Sequence, residues 1–182
     1  GQQQRVLIAK GFVAKPNLII ADEPTTSLDV TTQAGILKLL EDLVKSEGVS
    51  LLLITHDLAV LSQCAHRVAI MKSGEIVEEG ETEEVFRQRK SQYTRQLLDS
   101  VNYSPAKKSK SSGKLLLSVD KINSSYVSSE SLFNSKQAKF KVLNNVNLKI
   151  FEGEILGVVG ESGSGKSTLV KTILGVHKYE NG

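Results

Sequence analysis

At 182 residues the chain can hold one ordinary domain or two partial ones, and its 40% apolar content with a mean hydropathy of -0.13 fits a soluble globular protein. The formal charge of +3 is small, and much of it comes from Lys107, Lys108, Lys110 and Lys114, which argues against a broad basic face for nucleic acid. No apolar run approaches the roughly 18–20 residues of a spanning helix, and the single cysteine, Cys64, excludes an intramolecular disulfide and fits a reducing compartment.

In chain order, QQQRVLIAKGFVAK (2–15) spaces its apolar residues as a helix does. After Lys15-Pro16, the β-branched run NLIIAD (17–22) reads as a buried parallel strand. Thr31 to Ser46 predicts an amphipathic helix with Ile36, Leu37, Leu39, Leu40, Leu43 and Val44 on one face. SLLLIT (50–55) is a second buried strand, followed by a helix over Leu58–Cys64 and a strand over Arg67–Met71. Lys72-Ser-Gly-Glu turns the chain into EIVEEG (75–80), and helices are expected over Glu83–Gln88 and Gln92–Leu98. This alternation is that of an α/β domain around a mostly parallel sheet.

Residues 101–114, VNYSPAKKSKSSGK, change character to Pro, Ser, Gly and Lys and read as a flexible linker. As coil its root-mean-square span is about 20 Å. Strands then resume with LLLSVDKI (115–122), FKVLNNVNLKI (140–150) and EILGVVG (154–160), with a loop expected over Ser124–Lys139 and a helix from Lys166 to Leu174. The start at GQQQR and the closing HKYENG both read as the interior of a longer polypeptide, with two partial domains at 1–100 and 115–182 joined by the linker.

Three stretches carry chemistry. GESGSGKST (160–168) fits G-x-x-x-x-G-K-[ST] between a predicted strand and a predicted helix. Gly160, Gly163 and Gly165 let successive N–H groups turn inward towards phosphate, and the helix N-terminus adds partial positive charge. Lys166 supplies a point charge and Ser167 a hydroxyl for Mg²⁺, and Ser162, Ser164 and Thr168 complete the loop. The competing reading is a Gly/Ser-rich strand–helix junction with no ligand. In NLIIADEPTTSLD (17–29) a buried strand delivers Asp22 at its C-terminal end, where a carboxylate can hold Mg²⁺ directly or through water, and Glu23 can polarise an attacking water. The competing reading is an acidic loop capping the next helix. In LLLITHDL (51–58) a second strand brings His56 to the same sheet edge, where it could contact a γ-phosphate and hold water with Glu23; a lone histidine there is otherwise a satisfied turn residue, as His66 and His177 are taken to be.

Together GQQQR (1–5), LIIADEPTTSLD (18–29), LLITHDL (52–58) and GESGSGKST (160–168) resemble the nucleotide-binding subunits of ABC transporters. Gly1 to Arg5 is similar to the stretch closing that family's LSGGQ signature, the preceding Leu-Ser-Gly being absent here. The resemblance assigns Asp22 to the magnesium ion, Glu23 to catalysis, Ser27-Leu28-Asp29 to the D-loop and His56 to the switch histidine. It places Gly1, Gln2 and Asp29 near ATP, and Tyr126, or alternatively Phe140, under adenine. GEIVEEGETEEVF (74–86) is similar to the stretch after the family's last core strand. SQYTRQLLDSV (91–101) is similar to a tail of the peptide and nickel importer subfamily, some of whose members fuse two ATPase domains.

The resemblance implies a P-loop NTPase fold with a mostly parallel sheet, flanking helices and the antiparallel strands of an ABC ATPase. It implies an ATPase using ATP and Mg²⁺, peripheral to the cytoplasmic face of the inner membrane. Expected partners are permease subunits, indirectly an extracytoplasmic solute-binding protein, and a second ATPase domain; nucleic acid is not expected. ATPase domains of this family sandwich two ATPs head to tail, so Lys166 and Gly1 would face one ATP and Asp22, Glu23 and His56 the other. The helical subdomain with its glutamine loop is not in the sequence. The alternative is a non-transport tandem ABC ATPase of the translation or DNA-repair type. Because the two segments correspond to complementary parts of one domain, they can also dock as a permuted pseudo-domain, with Asp22 approaching Ser167.

Overall fold

The computed structural model describes residues 2–25, 28–99, 113–127 and 139–182. The first segment contains α1 (Gln2–Val13), β1 (Leu18–Asp22), α2 (Val30–Glu47), β2 (Ser50–Ile54), α3 (Leu58–Cys64), β3 (Arg67–Lys72), β4 (Glu75–Glu81), α4 (Thr82–Gln88) and α5 (Gln92–Asp99). The second contains β5 (Leu115–Val127), β6 (Lys139–Phe151), β7 (Ile155–Val159) and α6 (Lys166–Ile173). No helix among the described residues is long and apolar enough to cross a membrane.

Local chemistry sets the boundaries. Asp29 accepts the Thr32 N–H at 3.0 Å and starts α2, and Gly48, at φ +65°, ends it in the left-handed region that suits glycine. Ser73 and Gly74, at φ +49° and +82°, form the tight turn between antiparallel β3 and β4, as two-residue hairpin loops require.

The main sheet has the order β1-β2-β7-β3-β4. Its central strand, β7, comes from the second segment and pairs in parallel with β2 on one side and β3 on the other, Leu51 opposite Ile155 and Arg67 opposite Leu156. The segments therefore share one sheet, as the permuted docking requires. Strand alternation then divides the core. Leu51, Leu53, Val68, Ile70, Ile155 and Val159 face one layer with Ile36, Leu40, Val44, Leu61 and Phe86 of the helices. Leu52, Ile54, Ala69, Met71, Leu156 and Val158 face the other, covered by Leu143, Val146, Leu148 and Ile150 of the β5–β6 hairpin and by Leu169 of α6. Fit at this junction is tight: a Cβ on Gly157 of β7 would lie 2.5 Å from Leu61 Cδ2.

One expectation changes. The loop expected over Ser124–Lys139 is partly strand: β5 continues to Val127 and β6 begins at Lys139, with Tyr126 opposite Phe140. Cross-strand pairing of aromatic and β-branched residues outweighs the polar composition of that stretch. On α1, only Ile8 and Phe12 pack against the core, while Val6, Leu7 and Val13 are exposed. The expected linker 101–114 lies outside the described residues as far as residue 112.

Candidate functional site

Asp22 closes β1, and Glu23 leaves the sheet at φ +48°, a region rarely occupied by a residue with a Cβ. The Glu23 N–H donates to Ile54 O at 2.8 Å, pinning this turn against the end of β2. The following loop is held just as closely. Asp57 accepts the Ala59 and Val60 N–H groups at 2.9 and 3.3 Å and so caps α3. Its other carboxylate oxygen accepts Gln33 Nε2 at 3.2 Å, and its own N–H donates to Thr55 Oγ1 at 3.0 Å. His56, between these anchors, projects outward with Nδ1 3.1 Å from Glu23 Oε1.

The glycine-rich loop runs from β7 into α6. A Cβ on Gly160 would lie 2.0 Å from Met71 O, so only glycine lets the chain leave the sheet here. Gly163 and Gly165 take φ values of +80° and +100°. Lys166 is 7% exposed, and its Nζ donates to Gly160 O at 2.9 Å and Glu161 O at 3.0 Å. Burial holds the Lys166 ammonium below its ordinary pKa, and the charges of Glu23 and then Asp22 push the other way.

A cleft of about 580 Å³ unites these elements, a size suited to a small-molecule ligand. The first segment contributes Glu23 and His56, and the second contributes Ser162, Gly163, Gly165, Lys166, Ser167 and Thr168. One wall therefore carries a carboxylate–imidazole pair and the other a cationic, glycine-rich loop at a helix N-terminus.

Other candidates lie elsewhere. Asp22 is exposed and lines a separate groove between α1 and β1, reaching the cleft through its field on Lys166. Asp29 is the exposed cap of α2, its carboxyl held below the usual range chiefly by the Thr32 contact. Gln2 is the first residue of α1, while Gly1 and Ser27 lie outside the described residues. Gly160 and Ser164 are buried beneath the loop. Tyr126 stacks on His177 with ring centroids 4.3 Å apart, and Phe140, opposite it on the hairpin, is exposed. His66 Nδ1 accepts the Ile155 N–H at 3.0 Å, as a satisfied turn histidine does. Val142 of β6 also lines the cleft; no sequence signal singled it out.

Residues 143–182, which include this loop, match the ABC transporter family. The chain is 43% identical over 169 residues to the peptidoglycan transport ATP-binding protein YejF of Agrobacterium fabrum, covering 93% of this chain and 31% of that protein. The chain belongs to the ABC transporter ATP-binding proteins. It is also 35% identical over 208 residues to the glutathione import ATP-binding protein GsiA of Escherichia coli K12, covering 100% of this chain and 33% of that protein. Identity to the dipeptide transport ATP-binding protein DppD of Haemophilus influenzae is 52% over 101 residues, covering 56% of this chain and 31% of that protein. The chain thus spans about a third of the length of these relatives. Membership in the ABC ATP-binding family carries nucleotide binding with it, and the mostly parallel sheet with its separate antiparallel hairpin is consistent with that fold.

Proposed function

We propose that this chain is part of an ATP-hydrolysing subunit that powers import of peptides or a related small solute. The observation that carries the reading is the joint lining of one cleft by the Glu23–His56 pair and the Lys166 loop. The loop N–H groups and Lys166 bind the β- and γ-phosphates. Glu23 accepts a proton from the attacking water, and His56 holds Glu23 and the γ-phosphate in register. Water forms a new P–O bond as the bond to the β–γ bridging oxygen breaks, giving ADP and phosphate.

Mg²⁺ fits the donor set. Such an ion is usually held by one or two carboxylates together with phosphate oxygens and water. Among the described residues no cluster of three or more His, Cys, Asp or Glu forms a protein cage. Ser167, which lines the cleft, would hold the ion by its hydroxyl, and Asp22, in the neighbouring groove, would reach it through water; the ion would supply charge neutralisation at the phosphates.

In the longer polypeptide, residues 1–100 belong to one ATPase domain and 115–182 to the next, with 101–114 between them. Relatives with names that specify transport or import match the chain across both segments, which supports this order. Each segment would be completed there by its own copy, while in this chain complementary halves complete each other. Permease subunits at the cytoplasmic face of the inner membrane, a second ATPase domain and, through the permease, a solute-binding protein are the expected partners. The test is Glu23→Gln in the longer polypeptide with its permease. ATP should remain bound at that site while phosphate release from it disappears; unchanged release would remove Glu23 as the base.

A further inference from the structure

We propose that Tyr93 is a positioning residue for the phosphate loop. Its hydroxyl accepts the N–H of Glu161 at 3.1 Å, joining α5 to the first residue of the loop beyond Gly160. The inference rests on the reading of 160–168 as a nucleotide-binding loop.

The Glu161 backbone is held on both sides. Its N–H is taken by Tyr93, and its carbonyl accepts Lys166 Nζ at 3.0 Å and the Ser164 N–H at 3.2 Å. Tyr93 thereby acts on the peptide unit that also fixes the loop's one cation. Tyr93 is itself immobilised: it is 7% exposed within the helical core layer, and Lys72 Nζ stands 4.6 Å from its ring centroid. The start of α5 is tied down by Glu78, whose carboxylate oxygens accept the Lys90 and Ser91 N–H groups at 3.0 and 2.9 Å.

A second brace comes from the turn next to Lys72. The Gly74 N–H donates to Ser164 O at 2.8 Å. The loop is therefore gripped near its entry by α5 and near its exit by the β3–β4 turn. A loop that binds phosphate through aligned N–H groups binds more tightly when that alignment is set beforehand, because less ordering remains to be done on binding.

Tyr93→Phe keeps the ring, its packing and the Lys72 contact but leaves the Glu161 N–H without its acceptor. The expected effect is a Kd for MgATP about 3- to 10-fold higher, the size of one lost hydrogen bond. Amide exchange should also become faster at Glu161 and neighbouring loop residues, with protection in β2, β3 and β7 unchanged. A Tyr93→Phe chain with the wild-type Kd, tested where Lys166→Ala abolishes binding, would overturn the role of Tyr93 alone. Loss of protection throughout the sheet would assign Tyr93 to core packing and likewise overturn the proposal. A wild-type chain unable to bind MgATP would overturn the nucleotide-site reading and this inference with it.

Discussion

Glu23 and His56, 33 residues apart, meet through Oε1 and Nδ1 at 3.1 Å. The contact is built by two adjacent parallel strands, with Asp22 opposite Ile54 at their C-terminal ends. Glu23 is set by its backbone bond to Ile54, and His56 by the anchored residues on either side of it.

If this pair positions water for attack, His56→Ala should lower turnover about 10²- to 10³-fold, within the usual range for assisted proton transfer. MgATP affinity should change little, because phosphate charge is met by the loop. Phosphate-release kinetics and equilibrium binding on the same preparation separate the two effects.

Lys166 should titrate below an ordinary lysine, and Glu23→Gln should lower its pKa further by removing a carboxylate that favours the ammonium. The folded-state pKa is depressed, so the charged lysine opposes folding at neutral pH. That penalty is relieved as pH rises from the folded pKa towards the unfolded value. Titration of the Lys166 side chain by NMR in both chains checks the order.

Glu78 behaves oppositely. Burial pushes its carboxyl up, but contacts from Thr94, Ser91 and Lys90 outweigh this and leave the pKa lowered. A depressed carboxyl stabilises the fold above its unfolded pKa and loses that contribution as pH falls through the folded value. Amide protection in α5 should therefore weaken as the solution is acidified below about pH 4.5, the ordinary glutamate value. Glu78→Gln should remove that acid-dependent step.

Gly157→Ala tests the junction of the two segments. The new Cβ would lie 2.5 Å from Leu61 Cδ2, among the buried side chains of the helical layer. Overpacking of this kind costs about 1–3 kcal/mol, so the midpoint of urea unfolding should fall with little change in slope. An unchanged midpoint would mean that β7 does not sit against α3.

Much of the fold is legible because its elements carry simple signals. After Ser50, LLLI is an unbroken apolar run, and all five residues of β2 are buried. Ile36, Leu37, Leu40 and Val44 mark the buried face of α2. The docking of β7 between β2 and β3 has no periodicity of its own; it follows only from the two segments being complementary parts of one domain. The family resemblance points to Tyr126 as an aromatic under adenine, but its stacking on His177 joins two residues far apart in sequence. Tyr93 reads in the sequence as one apolar position of a short helix. Its hydroxyl acquires a task only when Glu161, 68 residues later, is brought beneath it.

The most direct test of the account is equilibrium MgATP binding by this chain, wild type beside Lys166→Ala and Glu23→Gln. A nucleotide cleft built from both segments predicts saturable binding by the wild type, at least tenfold loss in Lys166→Ala and retained binding in Glu23→Gln. Binding of the same strength in Lys166→Ala would contradict the assignment of the loop to the phosphates.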